Sequence, residues 1–374
     1  MIKKIGIIHF LPIEKYPPVL NLINSIDELN NISSLVITTQ RSNGELYKTK
    51  KSVVNRIVKI SKNSFYRYYS YLLFNLLGFF ELLTFKPKFI FVFETYSILP
   101  AFLYKLIFKN AIIHVHYHEY TSFNEIKSSS KYFKLLHFFE KKMFKKCNYI
   151  SQTNSDRLAM FLNNYPFIEK NKAFVIPNIP PSNWYEFALQ NKTINKSKKH
   201  KLVHVGALNM KTMYVKEIVN WVISQDGLFV LDFFTDNLSP ETEAFIIKAN
   251  SEYVNLYGSI NYFELPNLLV NYDIGITLYN GYIPNHVYSI PNKVIEYLYC
   301  GLNVWYSSEL LSTSKFIKNE KINGCREIDF SALNSFQIAI EPTSGYFNSN
   351  DRLINGFVDE NSLLIGFNKL FVNK

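Results

Sequence analysis

The sequence predicts an α/β protein made of two doubly wound domains with parallel sheets. Short runs rich in β-branched and aromatic residues alternate with helical patterns along most of the chain, which is typical of consecutive βαβ units. The length of 374 residues suits two domains of ordinary size. Residues 190–200 are polar and lack apolar periodicity, and they read as a linker or an exposed loop. We expect a ligand in a cleft that faces the carboxyl ends of the strands.

The first half of the chain contains seven strand patterns and five helical patterns. The strands are predicted at residues 4–8, 34–38, 54–60, 89–93, 111–117, 149–152 and 173–176. The helices are predicted at residues 18–29, 65–83, 98–108, 130–146 and 155–164. We expect these elements to form an N-terminal domain over residues 1–180.

A second set of elements begins after the polar stretch. Strands are predicted at residues 201–205, 228–234, 254–257, 274–278 and 304–306. Helices are predicted at residues 214–223, 240–250, 263–270, 291–299 and 362–371. These elements predict a C-terminal domain over residues 181–374, whose last helix we expect to pack back on the N-terminal domain.

Positive charge is concentrated in the first half of the sequence. The whole chain has 41 Lys and Arg against 30 Asp and Glu, but residues 1–180 hold 25 against 11 and residues 181–374 hold 16 against 19. One half therefore favours an anionic partner and the other does not. With 48% hydrophobic and 19% charged residues, the chain is not of the disordered class.

Several site classes are disfavoured by what the sequence lacks. Cys147, Cys300 and Cys325 are widely spaced and form no CxxC pair, which argues against a disulfide framework or a structural zinc site and suits a reducing compartment. Neither GxGxxG nor GxxxxGK[ST] is present, which weighs against dehydrogenases and P-loop kinases. No run of about 20 apolar residues predicts a membrane span.

A histidine-rich strand is the first candidate site. In Ile112-Ile-His114-Val-His116-Tyr-His118-Glu119, strand alternation puts the three histidines on one face. Three readings stay open: ordinary polar residues at a strand end, a metal site, or a catalytic pair. In the third reading His118 and Glu119 face the cleft and contact a sugar hydroxyl or perform acid–base work.

A loop that enters a helix is the second candidate site. Ser289 and Ile290 lead into Pro291, a residue favoured at the first turn of a helix, where backbone amides attract a diphosphate. Lys293 adds a positive charge to that turn, and Glu296 is placed to accept hydrogen bonds from ribose hydroxyls. The plainer reading is a capped helix with a solvated Glu296. Earlier in the chain, Gly206 ends a strand and allows a ligand close to the backbone.

Together these pieces resemble the group-1, retaining-type glycosyltransferases of GT-B fold, of the kind that build bacterial surface polysaccharides. The resemblance covers most of the chain from about residue 85 and is strongest at residues 254–306. Its pieces follow the family's order: Phe93-Glu94, His116-Tyr-His118-Glu119, the basic segment 135–146 with Tyr149-Ile-Ser-Gln, Ile176-Pro177-Asn178, Val205-Gly206-Ala-Leu-Asn, Tyr257-Gly258-Ser-Ile, Glu264-Leu-Pro-Asn-Leu-Leu, Tyr272-Asp273-Ile-Gly-Ile and Pro291-Asn-Lys293-Val-Ile-Glu296.

The resemblance implies a GT-B fold and roles for single residues. It implies that His118 lies near the transferred sugar, that Glu296 binds the ribose of a nucleotide-sugar donor, and that residues 289–293 face the diphosphate. It implies neither a cofactor nor a metal. Two positions depart from the family pattern. Tyr288 stands where retaining members often carry a first Glu, and Ala207 stands at a usual Arg position, which leaves Lys211 as the candidate basic residue.

The basic residues of the first half fall into two stretches. Residues 48–67 hold seven Lys and Arg without an acid, and residues 127–146 hold seven Lys and one acid, Glu140. Aromatic residues lie among them, a mixture that suits an anionic membrane surface; a solvated charged face is the alternative. Nucleic acid is disfavoured because no recognition motif accompanies the charge. In this fold the N-terminal domain normally holds the acceptor, which implies a lipid-linked or oligosaccharide acceptor at the cytoplasmic face of the cell membrane.

Three other functions stay open at this stage. The missing first Glu at Tyr288 would suit a non-catalytic scaffold of the same fold that binds a partner enzyme or glycan. A nucleotide-sugar epimerase would share the fold and act without an acceptor. A metal hydrolase would use His114, His116 and His118 as ligands.

Overall fold

The protein folds into two α/β units, each built on one parallel sheet. The structure, a computed structural model, describes residues 3–40, 46–60, 63–181, 183–192, 197 and 199–335. The division between the units falls between Asn178 and Ile179, in a segment with prolines at positions 177, 180 and 181. The C-terminal helix predicted at 362–371 lies outside the described residues.

The N-terminal unit contains seven strands and six α-helices in its described part. In chain order they are β1 (Lys3–His9), α1 (Pro17–Asp27), β2 (Ile32–Gln40), β3 (Val53–Lys59), α2 (Ser64–Phe85), β4 (Phe89–Phe93), α3 (Ile98–Ile107), β5 (Ile112–Tyr117), α4 (Phe123–Ser128), α5 (Lys131–Phe144), β6 (Tyr149–Gln152), α6 (Ser155–Asn164) and β7 (Ala173–Val175).

The sheet of this unit has the order β3-β2-β1-β4-β5-β6-β7, with every pair parallel. The chain first builds outward from β1 to β3 and then returns to place β4 on the other side of β1. This reversal is a topological switch point, and ligands of open parallel sheets bind at the carboxyl ends of the strands beside it. Residues that follow β1, β4 and β5 are therefore placed for function.

The C-terminal unit contains six strands and seven α-helices in its described part. They are α7 (Asn183–Asn191), β8 (His200–Val205), α8 (Val215–Ser224), β9 (Phe229–Phe234), α9 (Pro240–Ala249), β10 (Val254–Tyr257), α10 (Leu265–Leu269), β11 (Ile274–Thr277), α11 (Pro284–Val287), α12 (Asn292–Tyr299), β12 (Asn303–Ser307), α13 (Leu311–Asn319) and β13 (Cys325–Ile328).

The second sheet has the order β10-β9-β8-β11-β12-β13 and is also parallel. Its switch point lies between β8 and β11, so Gly206 and the loop after β11 meet at the same edge. The polar stretch 190–200 connects α7 to β8 inside this unit. It therefore does not separate the two units, as a linker would.

Central strands are buried on both faces, as parallel strands covered by helices must be. All five residues of β4 are at most 1% exposed, and β11 is buried throughout. The two doubly wound sheets confirm the predicted fold class. No helix in the described ranges is long and apolar enough to cross a membrane.

Candidate functional site

Gly206 and Lys293 are brought into contact at the switch point of the C-terminal unit. Gly206 follows β8 with a φ of +121°, a conformation that side-chain-bearing residues rarely adopt. A Cβ atom at this position would lie 3.2 Å from the Nζ of Lys293. The glycine thus supplies both the backbone turn and the space that the lysine amine occupies.

Helix α12 is held against the sheet by Tyr297. A Cβ atom on Gly275, in β11, would lie only 2.2 Å from the ring of Tyr297, so the helix packs here because the strand carries no side chain. The hydroxyl of the same tyrosine accepts a hydrogen bond of 3.0 Å from the backbone N–H of Val205, at the end of β8. Tyr297 therefore fixes α12 against β11 and the end of β8, next to Gly206.

Lys293, which is half-buried, and Glu296, which is buried, carry opposite charges on the first turns of α12. Burial lowers the pKa of Lys293 to about 8, although the charge of Glu296 acts to raise it. Burial raises the pKa of Glu296 to about 7, against the opposing effect of Lys293. Glu296 is 8% exposed, so the plainer reading of a solvated glutamate is wrong.

The Lys293 amine has two further neighbours. Its Nζ lies 3.4 Å from Nε2 of His204 and 5.4 Å from the centre of the Tyr279 ring. Burial, and then the lysine charge, lower the pKa of His204 well below its ordinary value, so this imidazole stays neutral. The imidazole is neutral and the aromatic ring carries no net charge, so these two neighbours do not neutralise the amine. An anionic ligand would supply the missing negative charge.

The remaining residues predicted for the donor lie just before α12 and on the loop after β8. Pro291 is the buried N-cap of α12, and within the described residues no side chain caps this helix end. Ser289 is buried, and its hydroxyl donates to the carbonyl of His286 at 2.7 Å; Ile290 is half-buried. Lys211 is exposed on the loop after β8, with its Nζ 5.0 Å from the Tyr282 ring centre.

His118 lies at the carboxyl end of β5 within a group of aromatic rings. It stacks on Phe93 with the ring centres 5.2 Å apart, and His9, Tyr16 and His116 also surround it. Burial is the main cause that lowers its pKa well below the ordinary value; His116 and His9 add to this, whereas Asn178 acts to raise it. Neither ring nitrogen has a hydrogen-bond partner of standard geometry in the described part of the chain.

Glu94 holds the segment that carries His118 and Glu119. Its Oε1 accepts hydrogen bonds from the backbone N–H groups of His118, at 2.6 Å, and of Glu119, at 3.4 Å. Its own backbone has φ 64° and ψ 161°, a region that residues other than glycine occupy only under strain. Burial and the charge of Glu119 raise the pKa of the Glu94 carboxyl to about 8.

Glu94 belongs to the family resemblance in the sequence, but sequence reasoning missed it as a site residue. The sequence does contain a signal for it, because a carboxylate directly follows the wholly apolar strand Phe89–Phe93. Glu119, which is predicted as catalytic, is exposed next to His118. The structure therefore groups three residues, Glu94, His118 and Glu119, at this edge of the N-terminal sheet.

The other two histidines of β5 are structural. Nε2 of His114 and Nδ1 of His116 both contact the Oγ of Ser151 at 2.7 Å, and all three residues are at most 1% exposed. One serine hydroxyl therefore joins the two rings through one nitrogen of each. Among the residues that the structure describes, no group of three or more His, Cys, Asp or Glu side chains could hold a metal ion.

Comparison with known proteins identifies the fold. No family model matches the sequence, and no curated protein matches it. Solved structures do match: sucrose-phosphate synthase from Thermosynechococcus elongatus has a TM-score of 0.68 at 12% identity, over 100% of both chains. HepE from Anabaena, solved in complex with UDP-glucose, has a TM-score of 0.66 at 10% identity, over 99% of this chain and 98% of the other.

An epimerase also shares the fold. UDP-GlcNAc 2-epimerase from Methanocaldococcus jannaschii has a TM-score of 0.53 at 14% identity, over 95% of this chain and 99% of the other. These likenesses confirm the GT-B fold, with its two Rossmann-like units, that the sequence predicts. At such low identities they do not identify a reaction.

Proposed function

We propose that this protein is a glycosyltransferase that moves a sugar from a nucleotide-sugar donor to a glycan or lipid-linked acceptor in bacterial surface-polysaccharide synthesis. The observation that carries the proposal is the contact between Gly206 and Lys293, three residues before the buried Glu296. These residues lie at the carboxyl edge of β8 and at the start of α12, the place where open parallel sheets bind nucleotides.

The donor diphosphate is bound by the N-terminus of α12 and by Lys293. The free amides of a first helical turn carry a partial positive charge, and the lysine adds a full one. Both stabilise the negative charge that develops on the leaving nucleotide, so in this proposal the transfer needs no metal. Lys211, on the exposed loop after β8, is the second candidate for phosphate contact.

The ribose is bound by Glu296. A carboxylate with two oxygens can accept hydrogen bonds from both ribose hydroxyls, and Lys293 favours its ionised form. Glu296 is buried before any ligand binds, so ribose binding adds little desolvation cost. HepE, a protein of similar fold, is solved with UDP-glucose.

His118 acts on the transferring sugar. Its lowered pKa keeps the imidazole neutral at physiological pH, with one nitrogen to donate and one to accept a hydrogen bond. A neutral imidazole suits a sugar hydroxyl better than a phosphate. Glu119 is the neighbouring candidate for proton transfer, because its carboxylate is exposed.

In this proposal the N-terminal unit holds the acceptor, and the protein is located peripherally on the cytoplasmic face of the membrane. The supporting observation is charge: the sequence excess of Lys and Arg falls in residues 1–180. One of these cations has a structural use, since Nη2 of Arg56 donates to Glu14 at 2.5 Å. The lysines of α5, in contrast, are exposed.

A panel of nucleotides and nucleotide sugars tests the donor site. Bound ligand should raise the melting temperature of the wild type by mass action, and the best ligand should then support transfer to acceptor or slow hydrolysis, with EDTA present. Glu296→Ala should abolish the thermal shift, whereas Glu241→Ala, an exposed glutamate in the first turn of α9, should retain it.

His118→Ala separates binding from chemistry. It should retain the thermal shift but lower turnover by about 100-fold or more, the usual size of a lost acid–base group. Near-wild-type behaviour of both Glu296→Ala and His118→Ala would disprove the site. Absence of a thermal shift with every nucleotide sugar would disprove donor binding.

A nucleotide-sugar epimerase is the second candidate, favoured by the similar fold of the archaeal UDP-GlcNAc 2-epimerase. It would convert the nucleotide sugar with no acceptor present and leave the nucleotide attached. Analysis of products by mass and chromatography distinguishes the two reactions. Binding of nucleotide sugar without any turnover would favour the non-catalytic scaffold, which Tyr288 in place of a first glutamate supports.

A further inference from the structure

Helix α2 presents a row of large apolar side chains to the surroundings of the N-terminal unit. Four of them form what we call the α2 stripe: Tyr69, Leu72, Leu76 and Phe80, which are 61%, 59%, 54% and 52% exposed. Their spacing of three or four residues places them on one face of the helix. At 1.5 Å per residue the stripe is roughly 17 Å long.

This face of α2 carries no charge, which is unusual for a helix in water. The helix has 22 residues and two charged ones. Arg67 lies near its start, before the stripe, and Glu81 accepts a hydrogen bond of 2.8 Å from Asn55. An amphipathic helix normally turns its polar face outward, so an outward apolar face indicates a partner that is itself apolar.

Helix α5 meets α2 at its first turn, and α3 packs against both helices. The ring of Tyr132, in the first turn of α5, stacks on Tyr71 with the ring centres 5.2 Å apart, and its hydroxyl accepts a hydrogen bond of 2.7 Å from Asn75. Both contacts are made by α2 residues that flank the first half of the stripe. The two helices therefore meet at the start of α5, and α3 connects them over the rest of this helical layer.

The exposed side of α5 is cationic. It carries what we call the α5 lysines: Lys131, Lys134, Lys141 and Lys142, all exposed. Phe138 lies among them, 48% exposed, with the Nζ of Lys142 4.2 Å from its ring centre. Glu140 is the one acid of α5; it is 3% exposed and accepts hydrogen bonds from Thr95 and Tyr117 at 2.7 and 2.6 Å. It therefore leaves the outward charge of α5 wholly positive.

We propose that the α2 stripe and the α5 lysines form a docking surface for an anionic lipid bilayer, with α2 lying in the plane of the membrane interface. Apolar side chains enter the boundary between headgroups and acyl chains, while lysines bind anionic headgroups, as interfacial helices do. Through this surface the N-terminal unit would bind the membrane at which the proposed transfer takes place. The inference rests on the proposed function only for the biological purpose of this binding.

The composition of the surface favours lipid over protein as the occupant. A protein partner would need negative charges opposite the α5 lysines and an apolar surface whose shape fits the α2 stripe. A bilayer offers both a continuous negative surface and a fluid apolar layer, and it asks for no specific shape. A second copy of this chain would offer the same surface, which has no exposed acid on α5 to pair with the α5 lysines.

Sedimentation with lipid vesicles tests the surface without donor or acceptor. The full-length protein is mixed with vesicles of phosphatidylcholine alone, or of phosphatidylcholine with phosphatidylglycerol, at low and high salt. We expect binding to the anionic vesicles only, and we expect it to weaken at high salt because ions screen the lysines. Failure to bind anionic vesicles at low salt would overturn the proposal.

Two sets of variants locate the binding surface. The substitutions Leu72→Ser, Leu76→Ser and Phe80→Ser, made together, should weaken vesicle binding about tenfold or more. Their control is the set Leu189→Ser, Ile247→Ser and Leu311→Ser, which replaces equally exposed residues of the C-terminal unit and should bind as the wild type does. Equal binding by the stripe variant would overturn the role of α2.

The second set removes charge. Lys131→Gln, Lys134→Gln and Lys141→Gln together should weaken binding about 100-fold, given the usual attraction of a basic residue close to anionic lipid. The control set is Lys216→Gln, Lys248→Gln and Lys321→Gln, exposed lysines of the other unit. Because all substituted residues are exposed, the melting temperatures of the variants should change little. A loss of vesicle binding could then not be caused by unfolding.

The outcomes distinguish this inference from the proposed function. If nucleotide binding and transfer persist while vesicles are not bound, the docking surface is wrong and the enzyme proposal stands. If the protein binds vesicles but no nucleotide sugar, the enzyme proposal is wrong and the docking surface stands. A wild-type dimer that the stripe substitutions convert to a monomer, with no vesicle binding, would assign the surface to a second copy of this chain and overturn the lipid proposal.

Discussion

The carboxylate of Glu94 accepts a 2.6 Å hydrogen bond from the backbone N–H of His118, and so joins the end of β4 to the end of β5. The bond fixes the point where the imidazole leaves the sheet. Its cost is visible in two ways: Glu94 occupies a strained backbone region, and its carboxyl is buried. We infer that Glu94 is a positioning residue, which acts through His118.

Glu94→Gln should change how stability depends on pH. Burial raises the folded-state pKa of Glu94 to about 8, above its ordinary value of 4.5. The folded protein holds this proton more tightly, so the carboxyl stabilises the fold fully below pH 4.5, and this contribution is lost as the pH rises through 8. Glutamine keeps the accepting oxygen and does not titrate.

Urea unfolding at acidic, neutral and alkaline pH measures this effect. Relative to Glu94→Gln, the wild type should lose up to about 4 kcal/mol in its free energy of unfolding between pH 5 and 9. Glu169→Gln is the control, because the Glu169 side chain is 61% exposed. A difference between wild type and Glu94→Gln that stays constant with pH would contradict the raised pKa.

Gly206→Ala should damage the donor site more than the fold. The new methyl group would strain a backbone with φ +121° and push the Lys293 amine from its place, 3.2 Å away. We expect nucleotide affinity to fall about tenfold and the free energy of unfolding by about 1–3 kcal/mol. Calorimetry measures the first and thermal unfolding the second.

Gly258→Ala is the matched control for this prediction. Within the described part of the chain, a Cβ atom on Gly258 would have no neighbour within 4 Å, and its φ is not positive. Alanine there should therefore change neither quantity. If Gly206→Ala binds nucleotide as tightly as Gly258→Ala does, the contact between Gly206 and Lys293 has no role in the donor site.

Gly275→Ala should destabilise the C-terminal unit. The added Cβ would overlap the Tyr297 ring at 2.2 Å, and Tyr297 is fully buried, so α12 has to move. We expect a loss of about 3 kcal/mol or more in the free energy of unfolding, at the upper end for overpacking. Adding Tyr297→Leu should recover part of it; no recovery would show that the ring is not the obstacle.

Nucleotide affinity should pass through a maximum near pH 7.5. The pKa values of Glu296 and Lys293 are about 7 and about 8, so both groups are charged together mainly between those values. Below this window Glu296 gains a proton, and above it Lys293 loses one. Calorimetric titration of nucleotide across pH 5.5 to 9.5 should show both limbs, as expected for a coupled pair.

Lys293→Arg assigns the alkaline limb. Arginine stays protonated at every pH used, so this variant should lose the decline above pH 8 and keep the decline below pH 7. Glu296→Gln should lose the decline below pH 7 and keep the decline above pH 8. An alkaline limb that persists in Lys293→Arg would show that another group controls it.

Most of the fold could be predicted from the sequence because buried parallel strands leave clear apolar runs. β4, β6 and β10 have the predicted bounds, as does α6. β13 was missed because three of its four residues are partly or fully exposed, so it leaves no apolar run in the sequence. α4 was missed although its capping box, Ser122 with Glu125, is readable: the two residues bond each other's backbone N–H groups.

The candidate site was less accessible to sequence reasoning, because its decisive relationships join distant positions. That Lys293 occupies the space beside Gly206 follows from the packing of α12 on β11, which no local pattern shows. His114 and His116 suit metal ligands in the sequence, which does not show that the Ser151 hydroxyl of the neighbouring strand contacts both rings. Residues 190–200 could be read as a linker because a polar loop inside a unit has the same composition.

The amine of Lys293 should be more reactive at neutral pH than that of an ordinary lysine. With a pKa of about 8, roughly one molecule in ten carries it unprotonated at pH 7, against about one in three thousand for an ordinary lysine. An unprotonated amine is a nucleophile. Lys192 has a similarly lowered pKa, but its Nζ donates to the carbonyl of Tyr272. In the proposed donor site, a nucleotide that carries an aldehyde would condense with this amine to an imine and release water, and added cyanoborohydride would reduce the imine to a stable secondary amine. The labelled peptide would then show whether the nucleotide binds at Lys293.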